Sequence, residues 1–370
     1  MMKKFKDLVT ANGVFSDGDW VESKDQDPNG DVRLIQLADI GVGTFIDKSN
    51  RFMTSKKAEE LKCTYLEEGD ILIARMPDPI GRACIFPELN TKCVTVVDIC
   101  IVRPASDEID SRWLMHLINS ERFNNQILKF VTGTTRQRIS RGNLAKLDVE
   151  VPPLEKQKRI AAILDKADSV RRKRQQAIKL ADDFLRSIFL DMFGDPISNP
   201  KGWEVKKWNN VLKIVNGKSQ KAVIADDGKY PIMGSGGEMG RATEYLTPEN
   251  SVIIGRKGNI NKPILVKEKF WNVDTAFGLV PHKELISHNY LYWFCVFFNF
   301  EKLNKTVTIP SLTKADLLEI QIPVPDLALI NKFDTVVKKL ESTKALKTTS
   351  LFESNIAFSS LSQKAFAGGL

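Results

Sequence analysis

The sequence predicts an α+β protein in which two pseudo-twofold-related domains are separated by two long antiparallel coiled-coil helices. Three observations predict it. The first is the stretch from Val151 to Gly194, which opens on Val-Pro-Pro-Leu and holds no further Pro or Gly until Gly194. Pro153 suits a first helical turn, where its missing N–H is not needed, and Gly194 before Asp195-Pro196 suits a C-terminal stop. The second is a repeat: Val149-Glu150-Val151-Pro152-Pro153-Leu154 returns as Ile322-Pro323-Val324-Pro325-Asp326-Leu327, an offset of 173 (322 minus 149). At that offset Ile139 meets Leu312, Leu144 meets Leu317, Leu147 meets Ile320, Ile160 meets Phe333 and Phe193 meets Phe366. The third is the strand-like alternation and turn chemistry that precede each helix.

Residues 1–150 form the first domain. Phe15-Ser-Asp-Gly-Asp-Trp20 and Asp27-Pro28-Asn29-Gly30 supply turns before an alternating run from Val32 to Ile40. Strands are expected at Val32–Leu37, Ile71–Ala74, Ala83–Phe86 and Thr95–Val102, and a helix over Ser111–Asn119, where apolar residues recur at helical spacing. Residues 151–198 carry the first long helix, roughly 60 Å at 1.5 Å per residue. Within it Ile160, Ile163, Ala167, Val170, Arg174, Ala177, Ala181, Phe184 and Ile188 recur at alternating intervals of three and four, the rhythm of a seam that needs a partner helix. That partner is the second helix, residues 326–370, with Phe333, Val336 and Leu340 on its seam. Since the first helix leaves domain one and the second leaves domain two, the pair runs antiparallel. Thr343, Lys347, Ser350 and Ser354 at seam positions predict a looser or broken second helix. The second domain, residues 199–325, opens on Asn199-Pro200-Lys201-Gly202-Trp203 and repeats the first with insertions. Asp70-Ile71-Leu72-Ile73-Ala74-Arg75 reappears as Ser251-Val252-Ile253-Ile254-Gly255-Arg256, and Val97-Asp98 as Val273-Asp274. Ser287–Phe300 is expected to be a buried helix.

Composition narrows the function. The chain has 370 residues, 42% of them hydrophobic, enough for two real cores. Its richest apolar run, Tyr290–Phe298, is far short of the roughly 20 residues that span a bilayer. Met-Met-Lys-Lys-Phe-Lys-Asp lacks the apolar centre of a signal peptide, so a cytoplasmic location is expected. Five cysteines without a C-x-x-C argue against a disulfide framework or zinc site and for single buried thiols. A formal charge of +8 favours a polyanionic partner.

No catalytic pattern stands up. Asn216-Gly217-Lys218-Ser219 has the end of a phosphate-binding loop but Leu212 where its first Gly belongs, so it reads as a turn. Gly41-Val42-Gly43 lacks the rest of a dinucleotide fingerprint. An amino-methyltransferase would want Asn-Pro-Pro-aromatic, yet the Asn-Pro here is Asn199-Pro200-Lys201. Glu204-Val205-Lys206 only faintly resembles a nuclease carboxylate-lysine pattern, and His116, His282 and His288 show neither metal nor triad spacing. No catalytic residue, cofactor or metal is expected. The candidates for nucleic acid are Thr134, Thr135, Arg136, Gln137 and Arg138 in the first half, with Arg75 and Arg82 flanking an upstream turn. In the second half they are Arg256, Lys257, Asn259, Asn261 and Lys262, with Lys305 and Ser311. Arg and Lys reach guanine O6 and N7, Asn and Gln pair with adenine, and hydroxyls bond phosphates. Arg171-Arg172-Lys173-Arg174 reads as an exposed helix face.

The run Leu154-Glu-Lys-Gln-Lys-Arg-Ile-Ala-Ala-Ile-Leu-Asp-Lys-Ala-Asp168, continued by Phe184-Leu-Arg-Ser-Ile-Phe-Leu-Asp-Met-Phe-Gly-Asp-Pro196, is similar to the central conserved region of type I restriction-modification specificity subunits. Leu361–Leu370 resembles that family's C-terminal conserved region, and Asp17-Gly-Asp-Trp-Val-Glu-Ser-Lys24 a recurrent opening of its first target-recognition domain. The resemblance covers nearly the whole chain. It implies a protein without chemistry of its own, binding neither S-adenosylmethionine nor ATP. Each recognition domain would read one half of a bipartite site in double-stranded DNA. The helices would set the gap and carry two modification (methyltransferase) subunits, with restriction/translocase subunits joining the complex. Where the family often has Glu-Gln after Pro-Leu-x, this chain has Lys156-Gln157 and Leu329-Ile330. Two other readings differ in what they predict: a single-chain DNA-modifying enzyme would transfer a methyl group unaided, and a coiled-coil scaffold would show no sequence preference on DNA.

Overall fold

Short alternating runs become strands because one face of each can be buried while every backbone group finds a neighbour. The computed structural model describes residues 1–306 and 309–369 and contains two units. The first, Met1–Lys173 with Leu351–Leu370, holds β1 (Met2–Lys4), β2 (Val14–Asp17), β3 (Val32–Ile35), β4 (Phe52–Met53), β5 (Ile71–Ala74), β6 (Ala83–Ile85), β7 (Lys92–Thr95), β8 (Ile99–Arg103) and β9 (Asp148–Glu150). They form a four-stranded sheet ordered β2-β8-β5-β6, a three-stranded sheet β4-β3-β7 and a ribbon β1-β9. The second, Arg174–Ser350, holds β10 (Glu204–Lys207), β11 (Leu212–Asn216), β12 (Tyr230–Gly234), β13 (Gly237–Ala242), β14 (Ser251–Gly255), β15 (Ile264–Val266), β16 (Trp271–Asn272), β17 (Ala276–Pro281) and β18 (Gln321–Val324). Its sheets run β11-β17-β14-β15, β13-β12-β16 and β10-β18. Each order is the first unit's with every number raised by nine, and the parallel pair β3 with β7 recurs as β12 with β16. The repeat in sequence is therefore a repeat of topology.

The run read as one strand from Thr95 to Val102 is two. Val96–Asp98 turns the chain out of the three-stranded sheet and into the four-stranded one, with the Ile99 amide donating to the Val96 carbonyl at 3.0 Å. Equivalent helices cover the sheets: Ser111–Ile118, capped by the Asp110 carboxylate, and His288–Phe297, capped by the Ser287 hydroxyl. They bury Trp113, Leu114 and Ile118 in one core and Tyr290, Leu291 and Phe294 in the other.

The long helices are Leu154–Phe193 and Leu327–Phe366. The second is unbroken, contrary to the looser helix expected. Its hydroxyls bond backward instead of competing outside the helix: Ser342 to the Lys338 carbonyl, Thr343 to Lys339, Thr348 to Lys344 and Thr349 to Ala345, at 2.8–3.2 Å. Gly194, at φ +78°, ends the first helix, and the Trp203 indole donates to the freed Phe193 carbonyl at 2.9 Å. The Arg122 guanidinium caps the Phe366 carbonyl in the other copy. Leu370, read as the end of the C-terminal region, lies outside the described residues. The pairing is antiparallel. In the first unit Arg171 stands over the Phe358 ring at 5.1 Å while Ile160 shares a core with Phe366; in the second, Asp182 bonds Lys344 at 2.6 Å and Phe193 meets Phe333 at 5.4 Å.

The seam is not the one read from sequence. Ile160 and Phe333 are buried as expected, but Ile163, Ala167, Ala177, Ala181, Ile188, Val336 and Leu340 are only partly covered, and Val170 and Phe184 are 41% and 55% exposed. Leu164, Leu185, Phe189, Phe193 and Val337 are buried instead. Each helix end is pressed between its partner helix and a domain core, so the buried face follows the core rather than a strict helix-to-helix stripe. Among the described residues no helix is long and apolar enough to cross a membrane.

Candidate nucleic-acid interface

In each unit three loops meet on the chain that leaves the second central strand of the four-stranded sheet. In the first unit that chain is Arg75, after β5. Its amide donates to the Asp98 carbonyl at 2.9 Å and its carbonyl accepts from the Ile139 amide at 3.1 Å. Ile139 is buried and anchors the loop before it, where Thr132 and Arg138 exchange two backbone hydrogen bonds of 2.9 Å. Thr134, Thr135, Arg136, Gln137 and Arg138 are thereby held out in solvent on a closed loop. The third member is the turn after β2. There Gly18 packs so tightly that a Cβ would run into the Val96 carbonyl, which presents Asp19 inward and Trp20 outward, 70% exposed.

The second unit builds the same face with other side chains. The Arg256 amide donates to the Thr275 carbonyl at 2.8 Å, the Arg256 carbonyl accepts from Leu312 at 2.9 Å, and Lys257 bridges to Ser311. The Asn304 side-chain carbonyl oxygen accepts from the Thr306 and Ser311 amides, both at 3.1 Å. Asn216-Gly217-Lys218-Ser219, read as an ordinary turn, occupies the position of Asp17–Trp20. A Cβ on Gly217 would run into the Val273 carbonyl as one on Gly18 would into Val96, and Lys218 is exposed.

The predicted residues divide by what holds them. Arg256, Lys257, Asn259 and Lys262 are exposed on the loop after β14, with the Arg256 guanidinium 5.8 Å from the Phe277 ring centre. Lys305 is exposed but already bonded to both oxygens of Asp316, at 2.8 and 2.9 Å; its ammonium and the Thr313 hydroxyl hold that carboxyl below the usual range. Ser311 is half-buried in its bridge. Asn261 is tied to the scaffold, accepting from the Phe300 amide at 2.6 Å and donating to Asn299 at 3.0 Å. Arg75 and Arg82 are corrections, since both are buried, at 6% and 8% exposure. Arg75 donates to the Val97 and Ile139 carbonyls and lies 3.3 Å from Asp17; Arg82 donates to four carbonyls, of Leu37, Ile40, Met76 and Pro79, at 2.7–3.0 Å. A guanidinium buried and engaged by backbone carbonyls in this way braces the loops and is not exposed to a ligand. Sequence reasoning passed over Trp20, Arg141 and Lys218 on the same faces. Arg141 is exposed beside Asp17, at 3.5 Å. The signal for Lys218 was the Gly18/Gly217 match, legible only once the strands were aligned.

The helix starts differ between copies, as Lys156-Gln157 and Leu329-Ile330 foreshadow. Gln157 is fully buried, accepting from the Asp110 amide at 2.9 Å and donating to the Glu108 and Pro152 carbonyls at 2.8 and 2.9 Å. Ile330 fills the equivalent place with carbon. Asp334, one turn on, takes over the link to the covering helix through Ser287 at 2.8 Å and Asn289 at 3.0 Å.

The family described as "Type I restriction modification DNA specificity domain" matches residues 1–180 and 200–349. The type I restriction enzyme MjaIX specificity subunit of Methanocaldococcus jannaschii is 23% identical over 384 residues, covering 92% of this chain and 86% of that protein. A putative type I specificity subunit of Haemophilus influenzae, S.HindORF215P, is 31% identical over 144 residues, 38% of this chain and 35% of its own. The fold is similar to the crystal structure of the type I restriction-modification S subunit from M. genitalium, with a TM-score of 0.61 at 16% identity, 99% of this chain and 96% of that one being covered. A chain from a structural study of type I complex assembly and conformational transition aligns at a TM-score of 0.55 and 17% identity, over 100% and 98% of the two chains.

Proposed function

Because this chain belongs to the family of type I restriction-modification DNA specificity proteins, we propose that its two β-rich domains each read one half of a bipartite site in double-stranded DNA. The first, residues 1–150, reads through the 132–138 loop; the second, residues 199–325, through the 256–262 loop with Lys305 and Ser311 beside it. The helical segments 151–198 and 326–370 set the spacer between half-sites and dock two modification (methyltransferase) subunits, which the restriction/translocase subunits join. The observation that carries this reading is the strand-for-strand repeat: one scaffold, made twice, presents the same three loops with unlike side chains. Identical scaffolds with unlike exposed donors suit two independent readers, since base identity is read by side chains while phosphate contacts only fix position. Exposed Arg136, Gln137 and Arg138 supply donors for guanine and adenine edges in one reader, and Arg256, Lys257 and Asn259 in the other. The test is a graft. Residues 1–150 are replaced by those of a relative, and the methylated motif is sequenced in a host carrying the modification subunits. One half of the motif should change and the other stay; both halves changing together overturns the independent-reader reading.

A further inference from the structure

In the first unit the segment between β3 and β4 fills a slot beside the sheet edge. The Gly43 amide donates to the Ala83 carbonyl of edge strand β6 at 2.8 Å, and the Gly43 and Val42 carbonyls accept from the Arg172 guanidinium at 2.7 and 3.3 Å. The fit leaves little room: a Cβ on Gly43 would stand 3.1 Å from Arg172 and 3.6 Å from the Met115 sulfur, with Asp168 at 4.0 Å. The slot is walled by β6, the Ser111–Ile118 helix and the first long helix, and the protein's own backbone closes it.

The repeat shows where the same slot lies in the second unit. Strand registers equate Leu72 opposite Cys84 with Ile253 opposite Ile264, so Ala83 corresponds to Pro263. Helix caps Asp110 and Ser287 equate Met115 with Tyr292 and Asn119 with Val296, and the offset of the long helices equates Asp168 with Glu341. Pro263, Tyr292, Val296 and Glu341 line one groove of about 510 Å³. The substitutions agree: Asn119 bonds both the N–H and the carbonyl of Ala83, at 2.9 and 2.8 Å, whereas Pro263 has no N–H to satisfy and faces Val296. The equivalent link of the second unit is too short to reach the groove as Gly43 does. Residues 36–51 link β3 to β4, but only Ser235-Gly236 links β12 to β13.

The geometry points to this groove as the docking slot for an extended, glycine-bearing loop of a modification subunit, laid against the β15 edge as Gly41–Gly43 is laid beside β6. The inference rests on the proposed carriage of modification subunits by the helices, because the groove's walls are those helices: Asp182 and Leu185 from one, Leu340 and Glu341 from the other. An edge strand offers backbone donors and acceptors to an added segment. The rim charges are already paired, Asp182 with Lys344 and Lys267 with Glu341, which suits a neutral backbone rather than a charged side chain.

The experiment uses the full chain with its own modification subunit. Amide exchange at Ile264–Val266 is followed for the chain alone, with DNA and in the complex. Assembly affinity is measured for Val296→Trp, which fills the groove, and for a variant carrying residues 36–51 in place of Ser235-Gly236. The expected result is protection of Ile264–Val266 on assembly alone, and about tenfold weaker assembly for both variants, with thermal midpoints and DNA affinity unchanged. Wild-type assembly without protection, together with normal assembly of a variant whose thermal midpoint is unchanged, overturns the inference and leaves the proposed function standing. Protection by DNA or by self-association of the lone chain also overturns it. Failure of the wild-type chain to bind the modification subunit at all overturns the proposed function with it.

Discussion

Replacing Arg82 by Ala should damage the first domain rather than its reading of bases. The guanidinium holds the carbonyls of Leu37 and Ile40 on one loop and of Met76 and Pro79 on another, through four hydrogen bonds of 2.7–3.0 Å in a nearly buried site. A hydrogen bond from a charged donor is worth about 1.5–3 kcal/mol, but four sharing one group do not add, and water entering the truncated site recovers part of the loss. A cost of about 3–5 kcal/mol follows, near that of breaking a buried charged network. At roughly 2 kcal/mol per molar urea, the first domain's midpoint should fall by about 2 M. Two domains need not unfold together, so the readout is urea-dependent amide exchange at β3 and β5, with β12 and β14 as the internal reference. Arg82→Lys should recover less than half, because one ammonium cannot span four carbonyls. Joint replacement of Arg136 and Arg138 by Ala is the counterpart: stability should stay within about 0.5 kcal/mol, while affinity for the first half-site drops by about 1–3 kcal/mol for each Arg that pairs with a base. If Arg82→Ala unfolded like wild type yet lost the first half-site, Arg82 would be a reader and the reasoning from burial would be wrong.

Lys257→Ala and Lys262→Ala should each lower the salt slope of DNA binding by about 1, on cognate and scrambled DNA alike, if they neutralise phosphates; a loss confined to cognate DNA would assign them to bases instead. Gln157→Ala should cost about 2–4 kcal/mol in the first domain, since it strands the Asp110 amide and two carbonyls; a shift under 1 kcal/mol in denaturant titration would show that water replaces it. The thiols should resist alkylation in the native state at pH 8. Burial pushes Cys84 and Cys100 up to about 12 and Cys93 to about 11, and burial followed by the charge of Asp19 does the same to Cys63, at about 12. A thiol with so raised a pKa stays protonated, and therefore poorly nucleophilic, until the solution is several pH units above 8. Modification of any of them within minutes at that pH would contradict this environment.

What could be read from the chain was what local rules determine. Pro153 and Gly194 mark helix ends because they act on their own backbone, and the repeat is visible because equivalent strands keep equivalent apolar residues at nearly constant offset. Gln157 and Ile330 could be singled out but not explained, since their role lies in partners such as Glu108 and Asp334, distant in sequence. The seam register failed for a similar reason. A strict interval of three and four assumes that a helix sees one neighbour, whereas Phe189 packs on Tyr290, Trp293 and Phe297 of its domain as well as on Phe333 of the other helix. Such a helix buries a broader, shifted face, and Phe184 is left outside it.

Arg75 and Arg256 show how one position takes opposite roles. Both follow an apolar strand, and both backbones bond the same two neighbouring loops. The difference lies in the strand at the sheet's edge. In the first domain Asp17, paired across the strands with Cys100, offers a carboxylate 3.3 Å from Arg75, and the guanidinium turns inward to it and to the Val97 and Ile139 carbonyls. In the second domain the same place holds Asn216, paired with Phe277. Asn216 carries no charge to draw Arg256 in, and the bulk of Phe277 stands where Cys100 left room, so the guanidinium rests over the ring and remains exposed. An inward carboxylate thus goes with an arginine that braces the loops, and an uncharged side chain in its place with one left exposed. The exposed face of this scaffold can be changed by a substitution on the neighbouring strand, at the position of Asp17 and Asn216.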